Sequence, residues 1–399
     1  MAFLVLFSIG TINIHAQEDK NQSELQERWK RFRDSDDNEK DFRAGSFLQY
    51  MENALKEGVS GTDSAGLLEG WESDTISGGE YSVHASYISF NDRADRVFYC
   101  LHQHDENEVF ALSHELSKKY KDHRVVPRLD YTDEVEEGIA LSLSTGNHSI
   151  LSVPGVQALI LIEKLSRSRG DQDSFDISDS LSSRMKKLME APSLFENDFS
   201  GYPGVSTLLS PDKRLKTVTW NVEDLNGTHH FYGIMAVRQD DSLIVKELND
   251  GRNDIETPES MELDASNWYG AIYYEIVPSK YQGETGYTVL GYNGKDSYSQ
   301  ERIIDFIRVS SGGDLYFGAP VFDYQGQRRQ RLIFEYSNQA NMMLRYDEQD
   351  DRIVMDHLAP RSPRYEGDRS YYGPDFSYDA LKFDGEKWVL IEDVDVRNR

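Results

Sequence analysis

The sequence predicts an α+β chain: an N-terminal helical and small α+β region, then a large antiparallel all-β domain. Three features predict it. Helical periodicity is concentrated before about residue 191, where apolar residues recur three and four apart. Beyond residue 205, apolar and aromatic residues alternate with period two, the signature of half-buried strands. Reversal dipeptides punctuate that half: Asn226–Gly227, Asp250–Gly251, Asn293–Gly294, Gly312–Gly313, Gln325–Gly326 and Asp384–Gly385.

Residues 1–16 (MAFLVLFSIGTINIHA) are apolar and end on a small residue, as in a secretory signal peptide. The run is too short for a spanning helix, which needs roughly 20 apolar residues, and no later segment is apolar enough to cross a membrane. Residues 17–57 form a helical segment. Leu25, Trp29 and Phe32 make one stripe, and Ala44, Phe47, Leu48, Met51 and Leu55 line a helix over Phe42–Lys56. Gly, Ser and Asp dominate 58–79, which reads as a linker. In the α+β region, 80–170, strands are expected at Tyr81–Phe90, Arg96–His102, Arg124–Leu129, Ile139–Ser144 and Ser149–Val153. Helices are expected at Glu106–Tyr120 and, behind Pro154, at Gly155–Ser166. A connecting helix, Ser178–Ala191, lies within 171–204.

The β domain spans 205–399. Val218–Val222 should pair with Thr228–Val237 across Asn226–Gly227, and Trp268–Val277 with Tyr287–Tyr292 across Pro278–Gly286. Ile303–Val309, Leu315–Tyr324 and Arg328–Tyr336 follow, and Leu381–Phe383 with Lys387–Ile391 close the domain. Within Leu332–Pro360, three alternating runs (Leu332, Phe334, Tyr336; Met342, Leu344, Tyr346; Ile353, Met355, His357) read as a three-stranded meander. Such a half closes its edges as a sandwich, barrel or propeller, and turn spacing does not choose among them.

Acidic residues outnumber basic ones by 70 to 43, a net charge of −27. That field repels nucleic acid, and no basic stripe offsets it. The single cysteine, Cys100, excludes an intrachain disulfide, and its apolar setting (VFYCL) marks a buried thiol. His114–Glu115 lacks the spacing of a zinc-protease helix. His102 and His104 in a strand would point the same way and could supply two metal ligands, against the more ordinary reading of surface histidines in a hydrophilic segment. No calcium loop, Gly-x-Ser-x-Gly elbow or phosphate loop is present, so no metal, cofactor or catalytic residue is assigned. The binding-site candidates are Asp356, His357, Asp375 and Tyr372, around the long Arg361–Pro374 loop where acids, a histidine and tyrosines gather.

Eight strings carry a resemblance: SPDKRLKTVTWNV, WYGAIYYEIVP, YTVLGYNG, FGAPVF, RLIFEYS, DHLAP, YYGPDFSYDAL and VDVRN. In that order, over Ser183–Asn398, the chain resembles a group of exported proteins of Bacteroidota. The resemblance implies a periplasmic or extracellular location and brings no established activity, so no catalytic residue is carried over. The expected function is an exported envelope or surface protein whose β domain is a non-enzymatic binding or structural scaffold for a ligand or envelope partner. The alternative is a hydrolase with an acidic/His site on a β-domain loop, using Asp356, His357 and Asp375.

Overall fold

A computed structural model describes residues 24–56, 71–75, 80–89, 94–106, 108–116, 119, 124–132, 138–199, 201–239 and 242–395. The expected signal peptide lies outside the described residues. Two compact units emerge: residues 1–160 with 199–201, and residues 161–198 with 202–399.

In the first unit, α1 (residues 24–33) and α2 (Asp37–Lys56) bury the stripes their spacing predicts. Leu25, Trp29 and Phe32 meet Phe47, Met51 and Leu55. The Phe32 and Phe47 rings stack at 5.2 Å, and Trp71 meets Trp29 edge-on at 5.3 Å. The helices cover a sheet of order β1-β2-β3-β4, built from β1 (Glu72–Thr75), β2 (Tyr81–Ile88), β3 (Arg96–Gln103) and β4 (Glu108–Glu115). A second sheet contains β5 (Val126–Thr132), β6 (Gly138–Thr145) and β7 (His148–Val153). Helix α3 (Val156–Arg167) follows β7.

Two expectations fail in this unit. Glu106–Tyr120 is not a helix: its core is strand β4, paired along its length with β3. Val109, Leu112 and Leu116 satisfy a helical stripe, but Phe110 and Ala111 are buried too. A short apolar run fits either period, and the free edge of β3 decides it. The 58–79 linker contains strand β1 at residues 72–75, anchored by buried Trp71. Of the rest of that linker, residues 58–70 and 76–79 lie outside the described residues.

In the second unit, which takes in the C-terminal part of α3, α4 (Gln172–Glu190) is capped by Asp171, whose side chain accepts from the Ser174 N–H. The buried face of α4 is rich in serine, which lets the helix lie close on its sheet. Ser178 accepts from the Trp220 indole at 2.9 Å, and Ser182 donates to Glu247 at 2.5 Å. That sheet has the order β11-β10-β9-β8: β8 (Ser206–Leu209), β9 (Leu215–Glu223), β10 (His229–Gln239) and β11 (Ser242–Asn249). The β9–β10 pairing sets Val222 opposite His230, across the turn that Asn226–Gly227 predicts.

The central sheet contains β12 (Leu263–Asp264), β13 (Ile272–Tyr281), β14 (Glu284–Asn293), β15 (Ser299–Val309) and β16 (Leu315–Phe317). It is covered on both faces. Tyr287, Val289, Ile303 and Ile307 pack toward β8–β11. The alternate residues Leu290, Ile304 and Phe306 pack toward a third sheet. That sheet has the order β18-β17-β23-β22-β21-β20: β17 (Phe322–Tyr324), β18 (Gln327–Arg329), β20 (Leu344–Asp347), β21 (Arg352–Pro360), β22 (Tyr372–Phe383) and β23 (Trp388–Ile391). The described pairings are antiparallel, with β17–β23 the parallel exception among named strands.

The Leu332–Pro360 meander is broken. Its first strand, β19 (Leu332–Ser337), leaves to pair with β15, while β20 and β21 pair in the third sheet. Alternation reports a half-buried strand and not its neighbour, which the covered face selects. Leu315–Tyr324 and Arg328–Tyr336 each break into two strands, at Gly318–Val321 and Gln330–Arg331. The β13–β14 hairpin does not turn over Pro278–Gly286. Its strands run on to Tyr281 and Glu284, and Gln282 and Gly283, both at positive φ, make the turn.

Where the central sheet meets the connection after β11, Arg331 and Asp305 form a buried ion pair at 3.0 Å. The guanidinium also donates to the carbonyls of Pro258, Met261 (3.0 Å) and Phe317 (2.8 Å). Removing one partner strands a buried charge. We expect Arg331→Met to cost about 3–5 kcal/mol in urea unfolding, and the double change Asp305→Leu/Arg331→Met to recover part of that loss.

Candidate functional site

A cleft of about 1060 Å³ opens in the second unit. Its first wall is the 252–260 connection after β11, which the buried Arg331 holds from behind. Arg329 pairs with Glu259 on this wall at 2.5 Å. Arg252 donates to Asn293 Oδ1 (2.6 Å) and the His229 carbonyl (2.8 Å), with its guanidinium over the Phe231 ring. The second wall is the third sheet: Tyr324, Met355–Leu358 and Asp379, with Arg369 at the loop.

The floor carries Tyr269, Lys295, Glu301 and Glu335. Glu301 on β15 stands directly opposite Glu335 on β19. Two carboxylates across a ladder repel, and the chain answers with a cation and with burial. Lys295, in the turn that Asn293–Gly294 starts, lies 2.5 Å from Glu335 and 3.8 Å from Glu301. Ser299 donates to Glu335 at 2.7 Å, and the Tyr269 hydroxyl donates to Glu301 at 3.2 Å. Glu301 is only 3% exposed. Burial pushes its carboxyl up to about 7 against the opposing pull of Lys295, with Glu335 adding to the rise. At neutral pH it is poised between acid and carboxylate.

Asp356 and His357 line the cleft, as does Asp379, which accepts from His357 Nδ1 at 2.9 Å and raises the imidazole pKa. The hydrogen bonds give each sequence candidate a different partner. Asp356 Oδ2 accepts from the Met343 N–H at 2.7 Å, closing the end of the β20–β21 pair. Asp375 accepts from the Ser377 N–H and hydroxyl at 3.1 and 2.7 Å, in an irregularity where His357 faces Asp375–Ser377. Asp375 is close enough to His357 and Asp356 to act on both electrostatically. Tyr372 is buried, 7% exposed. It lies under the Arg369 guanidinium, and its hydroxyl accepts from the Gly367 N–H, so it shapes the loop from beneath. Its neighbour Tyr371 is exposed and stacks on Tyr365 at 4.0 Å.

Sequence reasoning missed Glu301, Glu335, Lys295 and Tyr269. One signal was present: in Ser299–Ile307 the inward positions alternate Ser299, Glu301, Ile303, Asp305, Ile307, so two acids sit on an apolar row.

In the first unit, the His102 and His104 rings lie 4.0 Å apart, and His104 Nε2 is 3.0 Å from Ser82 Oγ. Burial, with the two neighbouring imidazoles, pulls nearby His84 down to about 4. Among the described residues, no group of three or more His, Cys, Asp or Glu side chains is placed to hold a metal ion. Cys100 is buried, and desolvation raises its thiol well above the ordinary range.

No protein-family model matches this chain, and no curated protein is significantly similar to it.

Glu301 fixes a pH dependence. Its folded pKa lies above its unfolded value, so the native state binds the extra proton and stability falls as pH rises from about 4.5 to about 7. The full shift corresponds to roughly 3 kcal/mol. Glu301→Gln should flatten this part of the stability–pH curve and raise the melting temperature at pH 8 more than at pH 5, measured by calorimetry.

Proposed function

We propose that the chain is an exported envelope or surface protein whose second unit is a binding scaffold, and that its cleft takes an uncharged, hydroxyl-rich ligand such as a glycan. One observation carries this reading: the cleft is strongly polar, and its floor and both of its walls each hold an ion pair made within the protein. Arg329 is matched by Glu259, Lys295 by Glu335 and His357 by Asp379. An ionic ligand would have to compete with those partners. A neutral ligand with many hydroxyls needs fixed donors and acceptors beside aromatic faces, and Tyr324, Phe334 and Tyr269 supply the faces. The negative net charge argues against a polyanionic partner. The apolar N-terminal run and the resemblance to exported Bacteroidota proteins support export. No helix among the described residues is long and apolar enough to cross a membrane.

Thermal shift tests this directly. A matching neutral oligosaccharide should stabilise the protein, by about 2.7 kcal/mol at a hundredfold excess over its Kd. Tyr324→Ala should weaken binding about threefold to tenfold, the range for one aromatic contact. Stabilisation by sulfated or phosphorylated polymers alone, with neutral glycans inert, would refute the reading.

A further inference from the structure

Beyond binding, we propose that the cleft floor is a glycoside-hydrolysing centre of the retaining type, with Glu301 as the acid and Glu335 as the nucleophile. The inference rests on the cleft being a glycan site and adds an activity to it.

Four observations support it. The two carboxylates stand on adjacent strands at directly opposed positions and both line the cavity. Their Oε1 atoms lie 3.8 and 2.5 Å from one Lys295 Nζ, so these two atoms are at most 6.3 Å apart. That fits the separation of about 5–5.5 Å for direct attack better than the wider gap that admits a water. Their surroundings are unequal: Glu301 is buried beneath Tyr269, while Glu335 is more open and held by Lys295 and Ser299. Two carboxyl groups whose environments drive them apart can divide acid and nucleophile roles. Burial favours the protonated form of Glu301 up to about neutral pH. Finally, the connection forming one wall and the strand carrying Glu335 are tied together by the buried Arg331, giving the pair a rigid frame.

The step balances without redox chemistry. Glu335 attacks the anomeric carbon, the bond to the departing oxygen breaks, and Glu301 gives that oxygen its proton. Water then attacks the anomeric carbon, the bond to Glu335 breaks and regenerates its carboxylate, and the water gives its hydroxyl to the sugar and one proton back to Glu301. One water is consumed per bond, and a new reducing end appears.

The test uses the full chain with starch, xylan, mannan, laminarin and chitin oligomers, each assayed for binding by thermal shift and for new reducing ends. The expected result is cleavage of a bound glycan, reduced at least about a hundredfold in Glu301→Gln and Glu335→Ala, with both variants folded by circular dichroism. Azide added to Glu335→Ala should restore turnover and yield a glycosyl azide, which a structural role for Glu335 would not produce. The activity of the unmodified protein should fall as pH rises through about 7, as Glu301 loses its proton. Binding without cleavage overturns the catalytic assignment and leaves the binding reading standing. Cleavage insensitive to both substitutions overturns the assignment of these residues. Failure of every glycan in the panel to bind overturns both readings.

Discussion

The buried Arg331–Asp305 pair is the constraint on which the second unit depends. Asp305 comes from the middle of β15 and Arg331 from the residue before β19. One guanidinium reaches that carboxylate and three carbonyls, at Pro258, Met261 and Phe317. Burying two charges is costly, and full hydrogen bonding is what makes it tolerable. Asp305 Oδ1 also accepts from the Phe306 N–H at 2.8 Å, so both ends are satisfied. Gly318, at φ +98°, completes the fit, because a Cβ there would come within 2.9 Å of the guanidinium. The network fixes the 258–261 connection against the central sheet and thereby sets one wall of the cleft.

The same sheet explains why acids sit on the cleft floor. The central sheet is covered on both faces, so each side chain of β15 must pack or find a partner. Asp305 finds Arg331. Glu301, one turn of the pleat away from Ile303, finds a tyrosine hydroxyl and a more distant lysine, and burial carries its carboxyl toward neutrality. Burial pushes both acids up, and Asp305 alone has a cation in hydrogen-bond contact to oppose it.

How much was legible follows from what each signal measures. Period-two alternation reports that a face is buried, so β9, β10, β14 and β15 are readable, as is the Asn226–Gly227 turn. It does not report which strand lies alongside, so β19 reads as a neighbour of β20 although it pairs with β15. It also fails for strands short enough to satisfy two periods, as β4 shows. The site divided similarly. Asp356 and His357 lie in the cleft because the strand end bearing them does, whereas Tyr372 is turned beneath its loop and Asp375 is occupied by Ser377. The floor residues are not legible in the sequence because Tyr269, Lys295, Glu301 and Glu335 are scattered along the chain and share no local motif.

The sequence by itself determined the mostly antiparallel character of the chain, the helical stripes near its start and the burial of its one cysteine. Those depend on local periodicity and composition, which a linear string records. The tertiary structure alone decided strand neighbours, the split of long runs into short strands, the Arg331–Asp305 pair and the cleft floor. Each of these arises from contacts between residues far apart in the chain, where burial and charge pairing, not local propensity, set the outcome.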